Sequence, residues 1–264
     1  MSVGKPLRIM LLCVLALAWT GLTRPAYADS FTITISGSSA IFLAGRTDLT
    51  IPAANLPWNY PEGMQRHGGP TPEEIRETLP PIIPVSAGDV VRALDPASGG
   101  ISFYNGFGAP LFGPGGGGGT TDLLGFGGIS GFYADGLGPL AGVFLDDSIP
   151  SGPAPVRVNF TSGGIGTNFL TITPGLGQVF FIGDGTTGGV FQQFIAPAGA
   201  TRLALGIPDG FSFFGAPGYY DDNDGAYRII VGVNEVPAVP EPASLVLLGT
   251  GLVGAFRAVR KRRA

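Results

Sequence analysis

Cysteine, histidine and lysine are nearly missing from this chain, and each shortage removes a class of chemistry. The one cysteine, Cys13, lies inside an N-terminal apolar run. A mature chain that begins after that run has no thiol, so it has no disulfide, no thiolate zinc site and no cysteine nucleophile. The one histidine is His67, in the polar segment Gln65-Arg66-His67-Gly68-Gly69. A Ser-His-Asp triad would have to use it, and a histidine-rich zinc site has nothing to draw on. The two lysines, Lys5 and Lys261, sit near the two ends. Between Asp29 and Ala238 the basic residues are seven arginines against 18 carboxylates, a net charge of −11. That balance excludes nucleic acid as a partner, because binding it requires basic surface to displace counterions. It suits a secreted protein that recruits cations.

The ends carry localisation signals. Lys5 and Arg8 precede the apolar residues Ile9 to Trp19, and Ala26-Tyr27-Ala28 is a small-x-small cleavage site. This is the layout of a signal peptide over 1–28, cut after Ala28. At the other end, Pro240-Glu241-Pro242 precedes a glycine-broken apolar run, Ala243 to Phe256, and then Arg257, Arg260, Lys261, Arg262 and Arg263. An apolar span followed by a positive cluster is a membrane stop, since Lys and Arg stay on the cytoplasmic side. A transmembrane helix over about 242–260 is expected, lengthened by snorkelling of the basic end. The three-part order over 239–264 closely resembles the PEP-CTERM sorting signal of exopolysaccharide-producing Gram-negative bacteria. The resemblance implies an exosortase-type membrane protease as partner, a transient membrane anchor, and final residence in the cell envelope or extracellular matrix. Gly249-Thr250-Gly251-Leu252-Val253-Gly254 fits a dinucleotide fingerprint in letters alone. No βαβ unit surrounds it, and its glycines suit close helix contact in a bilayer.

The body, 29–238, is long enough for one all-β domain. The whole chain has 45 glycines and 24 prolines, but its 18 phenylalanines supply core-forming area that disordered chains lack. Phe31 to Ile35 alternates with period two. Further strand signals fall at 40–44, 89–94, 101–104, 156–160, 169–172, 178–182, 192–195, 201–206 and 226–233, divided by turn residues, and argue for a sandwich or barrel. Residues 46–84 form a Pro-rich excursion. In it Thr71-Pro72-Glu73-Glu74 starts a short helix over 72–79. Gly113 to Gly119 reads as a flexible loop. It lacks the Gly-Lys-Ser/Thr of a phosphate loop, because Thr120-Thr121-Asp122 follows.

The densest oxygen cluster is Asp221-Asp222-Asn223-Asp224-Gly225. Such a run is either bound to a hard cation or solvated as an acidic hairpin. An EF-hand does not fit: with Gly225 in the sixth place, Tyr220 and Val231 occupy the places of the first Asp and the last Glu. The segments Phe194 to Leu203, Asp209-Gly210 and Pro217 to Val231 resemble the C-terminal half of the galactophilic bacterial lectins. That resemblance implies a jelly-roll-like antiparallel β-sandwich with calcium as cofactor. It implies side-chain ligation by Asp209, Asp222 and Asn223, a backbone carbonyl from Tyr219, and another from the turn at 102–104. The His-Pro-x-Gln segment with which those lectins hold galactose has no counterpart between 105 and 150. The expected function is non-catalytic: a calcium-stabilised envelope or matrix protein that binds glycan or exopolysaccharide. A purely structural surface protein and a glycoside hydrolase are the alternatives. Asp146-Asp147 and Asp221-Asp222 are the hydrolase's carboxylates by composition, but neighbours on a strand point to opposite faces.

Overall fold

The computed structural model describes residues 28–53, 77–104 and 111–236. The signal segment, His67, the sorting motif and the expected membrane helix lie outside them. Within them the chain is all-β, and its only helical turns are three short 3₁₀ segments.

Period-two alternation places one face of each long strand inward. In Asp29–Ser36 the residues Phe31, Ile33 and Ile35 turn toward the core while Thr32 and Thr34 face out. This strand borders Asp224–Val233, which is flanked on its other side by Val90–Ser102, then Gln193–Ile195 and Thr171–Ile172. A second sheet runs Ile82–Pro84, Arg202–Gly206, Ala141–Leu145, Val179–Phe181. A third runs Phe214–Gly215, Gly117–Leu123, Phe132–Leu137, Asn159–Phe160. A small hairpin pairs Thr186–Thr187 with Val190–Phe191.

Phenylalanine holds the sheets together. Phe180 of the second sheet lies 5.2 Å from Phe194 of the first and 5.2 Å from Phe144 of its own. Phe160 of the third sheet meets Phe181 of the second at 6.4 Å. Such contacts add about 1 kcal/mol each beyond the area they bury. They stand in for covalent staples, since the described residues include no cysteine.

Several local expectations change. Residues 89–94 and 101–104 belong to one strand, Val90–Ser102. Residues 40–44 are not a strand but a fully buried 3₁₀ turn, Ile41–Leu43, joined to the second sheet by a single bridge from Ala40 to Ile207. An apolar run without alternation fits any buried backbone, so its sequence does not choose between them. The glycine run is only partly a loop. Gly117 begins a strand, and a Cβ there would lie 2.4 Å from the Phe112 ring. Glycine is used at that position for close approach rather than for mobility. Phe132–Leu137 and Ala141–Leu145 had no strand expectation. The second is buried at every position and shows no alternation to read.

The excursion is no excursion at its end. Ile82–Pro84 edges the second sheet, and Glu77 is 1 % exposed. Residues 77–79 are not helical: Thr78 bridges Ser39, against the expected helix over 72–79, whose remainder lies outside the described residues.

Candidate metal centre

The chain leaves the second sheet at Gly206 and reaches Asp209 at one end of the sandwich. Gly210 and Pro217 pair as an isolated antiparallel bridge, and Gly218 N–H donates to the Asp209 carbonyl at 3.0 Å. The loop between them is therefore pinched at its base. Tyr219 follows at φ 65°, a left-handed conformation uncommon for an aromatic residue. It turns the backbone into the short 3₁₀ segment Tyr220–Asp222, and Asn223 leads into the last strand.

Tyr220 bolts this turn to the core. Its hydroxyl donates to the Ile207 carbonyl at 2.8 Å and accepts the Asp209 N–H at 3.3 Å. Burial, with the charges of Asp209 and Glu77, holds its phenol well above the ordinary range. Removing the hydroxyl takes the partner from the Asp209 N–H inside the protein, while the Ile207 carbonyl keeps the Ile41 N–H at 3.3 Å. Tyr220→Phe is expected to cost about 1–3 kcal/mol, seen as a lower urea midpoint at unchanged slope. An unaltered midpoint would contradict this role.

Asp221, Asp222 and Asn223 of the acidic run are buried and Asp224 is half-buried, so the run is not a fully solvated hairpin. Asp209, Asp221 and Asn223 are each 2 % exposed and Asp222 is 7 %. Asp209 Oδ1 accepts Gly210 N–H at 2.7 Å, and its Oδ2 accepts Asn223 Nδ2 at 2.7 Å. Asn223 Nδ2 also donates to the Gly37 carbonyl at 3.0 Å. These two acceptors fix the amide orientation and leave Asn223 Oδ1 buried with no hydrogen-bond partner. Desolvation raises the Asp209 carboxyl well above the ordinary carboxylate range, and the nearby charges of Asp222 and Asp221 push the same way. The hydrogen bonds from Asn223 and Gly210 oppose that shift without cancelling it.

Asp209 and Asn223 are joined by a hydrogen bond, and Tyr219 and Asp222 flank them in the same turn. Ser102 pairs with Asp224, so the turn at 102–104 borders the same pole. Gly37 and Glu77 went unrecognised in the sequence. Gly37 contributes only a carbonyl, and Glu77 lies more than a hundred residues upstream, so neither gives a local signal. Among the described residues no three Asp, Glu, His or Cys side chains come together as a metal site. A cation at this pole would rely on carboxylates supplemented by an amide oxygen and backbone carbonyls, a donor set that suits calcium and not zinc.

The other carboxylate pair is engaged by neighbouring hydroxyls and one backbone N–H. Asp146 accepts from Ser148 N–H at 2.9 Å and from its hydroxyl at 2.5 Å, which lowers the Asp146 pKa, while Asp147 accepts from Thr201 Oγ1 at 2.7 Å.

Residues 238–263 match the PEP-CTERM protein-sorting motif. That motif implies export, transient membrane anchoring and processing by exosortase, a membrane protease. Comparison with curated proteins and with solved structures gives no match, to the galactophilic lectins or to anything else.

Proposed function

We propose that this exported, exosortase-processed chain is a non-catalytic component of the cell envelope or extracellular matrix, a jelly-roll β-sandwich locked by calcium that holds glycan. Strand order supports the jelly roll. Numbering the eight strands Asp29–Ser36, Ile82–Pro84, Val90–Ser102, Ala141–Leu145, Val179–Phe181, Gln193–Ile195, Arg202–Gly206 and Asp224–Val233 from one to eight, the first sheet begins 1-8-3-6 and the second reads 2-7-4-5. That interleaving is the double Greek key of a two-sheet jelly roll. The third sheet grows largely from the insertion between strands three and four.

The observation that carries the metal is the orphaned Asn223 Oδ1 beside carboxylates that the fold has desolvated. A buried acceptor without a donor costs about 1–3 kcal/mol, and a divalent ion would satisfy it. Asp209, Asp222 and Asn223 would hold the ion through side chains and Tyr219 through its carbonyl. The ion would supply positive charge where the buried Asp209 feels the charges of Asp222 and Asp221, and so lock the loop to the start of the strand Asp224–Val233.

Thermal melts of the full chain in mild detergent, with calcium and with chelator, test this. At a hundredfold excess over the dissociation constant, stabilisation by about 2.7 kcal/mol is expected, a rise of roughly 5–10 °C. Asp222→Ala should remove the rise. A calcium response of equal size in that variant would eliminate the site. The alternative of a purely structural surface protein predicts the same melt but no retention on immobilised galactosides or on the host's exopolysaccharide. A glycoside hydrolase is disfavoured by the engagement of Asp146 and Asp147 in loop hydrogen bonds.

A further inference from the structure

The outward face of the third sheet carries a row of side chains that core packing does not require. In register across its four strands lie Phe214, Asp122, Tyr133 and Asn159. Residues paired across neighbouring strands share a face, so this row forms one line. The opposite face of the same strands is the buried one, with Leu123, Phe132, Ala134 and Phe160. At one end of the row Phe214 is 70 % exposed. Next to it Asp122 accepts from Arg157 Nη1 at 2.5 Å, and both side chains are about one-third exposed. The Arg157 guanidinium lies over the Tyr133 ring, 4.8 Å from its centroid, and is thereby held flat.

Phe214 is placed outward at a cost. Ser212 and Phe213 both adopt positive φ, 52° and 58°, which sends Phe213 into the core against Phe103 at 5.0 Å and turns Phe214 to solvent. Each such residue costs about 1–3 kcal/mol, and strain of this kind collects at functional positions.

We infer that this row is a binding platform for a neutral polysaccharide, with one sugar ring laid on Phe214 and the next hydrogen-bonded by Asp122 and Arg157. The inference rests on the reading of the protein as a glycan holder but not on the metal. A pyranose has an apolar C–H face and a rim of hydroxyls. The row offers an exposed phenyl ring and, one strand spacing of about 4.8 Å away, a carboxylate acceptor, with the forked N–H donors of Arg157 held beside it; the Asn159 amide oxygen is occupied by the Thr161 N–H at 2.9 Å and hydroxyl at 2.7 Å. The Asp122–Arg157 pair is neutral as a unit, and the body's net charge of −11 repels polyanions and anionic lipid alike. A second copy of the chain would want a continuous apolar surface, and this row is interrupted by an ion pair. A sheet face also holds its side chains at fixed spacing, which a repeating polymer can match.

Affinity electrophoresis of the full chain in mild detergent tests the assignment, with gels containing a neutral galactomannan, a neutral β-glucan or the polyanion alginate. Retardation by a neutral polymer is expected. It should be about tenfold weaker in Phe214→Ala, restored in Phe214→Trp and weakened in Asp122→Asn, with melting temperature unchanged in the Phe214 variants. Equal retardation of wild type and Phe214→Ala would overturn this platform while leaving glycan binding elsewhere on the protein intact. Loss of retardation in Asp222→Ala alone would move the glycan to the acidic pole. If neither neutral polymer retards the wild type, the glycan part of the proposed function falls together with this site. Binding to alginate only, or a concentration-dependent dimer that Phe214→Ala dissolves, would also overturn it.

Discussion

Gly225→Ala is expected to destabilise the body by about 3 kcal/mol or more, through backbone strain and overpacking together. Gly225 has φ 92°, outside the range that L side chains adopt comfortably. It also pairs with Ile101 across the central strand pair, where an added Cβ would stand 2.3 Å from the Gly100 carbonyl oxygen. Neither obstacle is a flexible side chain that can swing away. The strand involved, the last among the described residues, sits between Asp29–Ser36 and Val90–Ser102, so a shift at Gly225 opens both interfaces. Chemical denaturation of Gly225→Ala should give a much lower midpoint, and Ala226→Gly, one residue along, should cost far less. Comparable midpoints for wild type and Gly225→Ala would show that the strand pair yields easily. This also explains the glycine in the Asp-Asn-Asp-Gly run, which is present because two backbones meet there.

In chelator, the stability of the chain should fall as pH rises above the ordinary carboxylate range. The group responsible is Asp209, whose carboxyl burial holds well above the ordinary value of 3.8. Below that value both the folded and the unfolded chain keep the proton, and the group contributes nothing to the slope. Above it the unfolded chain releases the proton first. The folded state then binds more protons, and stability drops until the folded carboxyl ionises as well. The exposed Asp146, with its lowered pKa, has the opposite slope, but only at and below the ordinary carboxylate value. Calcium should flatten the fall, because it favours the ionised carboxylate. Asp209→Asn should flatten it without calcium. A metal-free melting temperature that stays level above that range would contradict the burial of Asp209 as a charge problem.

How much of the site was legible follows from the kind of signal each part carries. Asp222 and Asn223 stand out in the sequence because oxygen-rich residues cluster there, whereas Asp209 comes only from the resemblance to the lectins. Their burial did not stand out, since the same residues read equally well as a solvated hairpin. Tyr220 decides the matter by anchoring the turn to Ile207, and the Gly37 carbonyl arrives from 186 residues away to orient Asn223. The Phe214 row was invisible for the same reason. Its members come from four strands spread between Asp122 and Phe214, and only lateral pairing lines them up.

The linear sequence alone determined where the protein goes and what class of fold it has. Export and sorting machinery reads segments as extended or helical peptides, so charge, apolar length and the Pro240-Glu241-Pro242 order suffice. Period-two alternation and turn residues likewise act within a few positions, and they made the body all-β. Tertiary structure decided which strands neighbour each other, which carboxylates lose water, and which polar rows remain outside. Those outcomes depend on burying the phenylalanine faces of three sheets at once, a long-range condition that no local stretch of residues encodes.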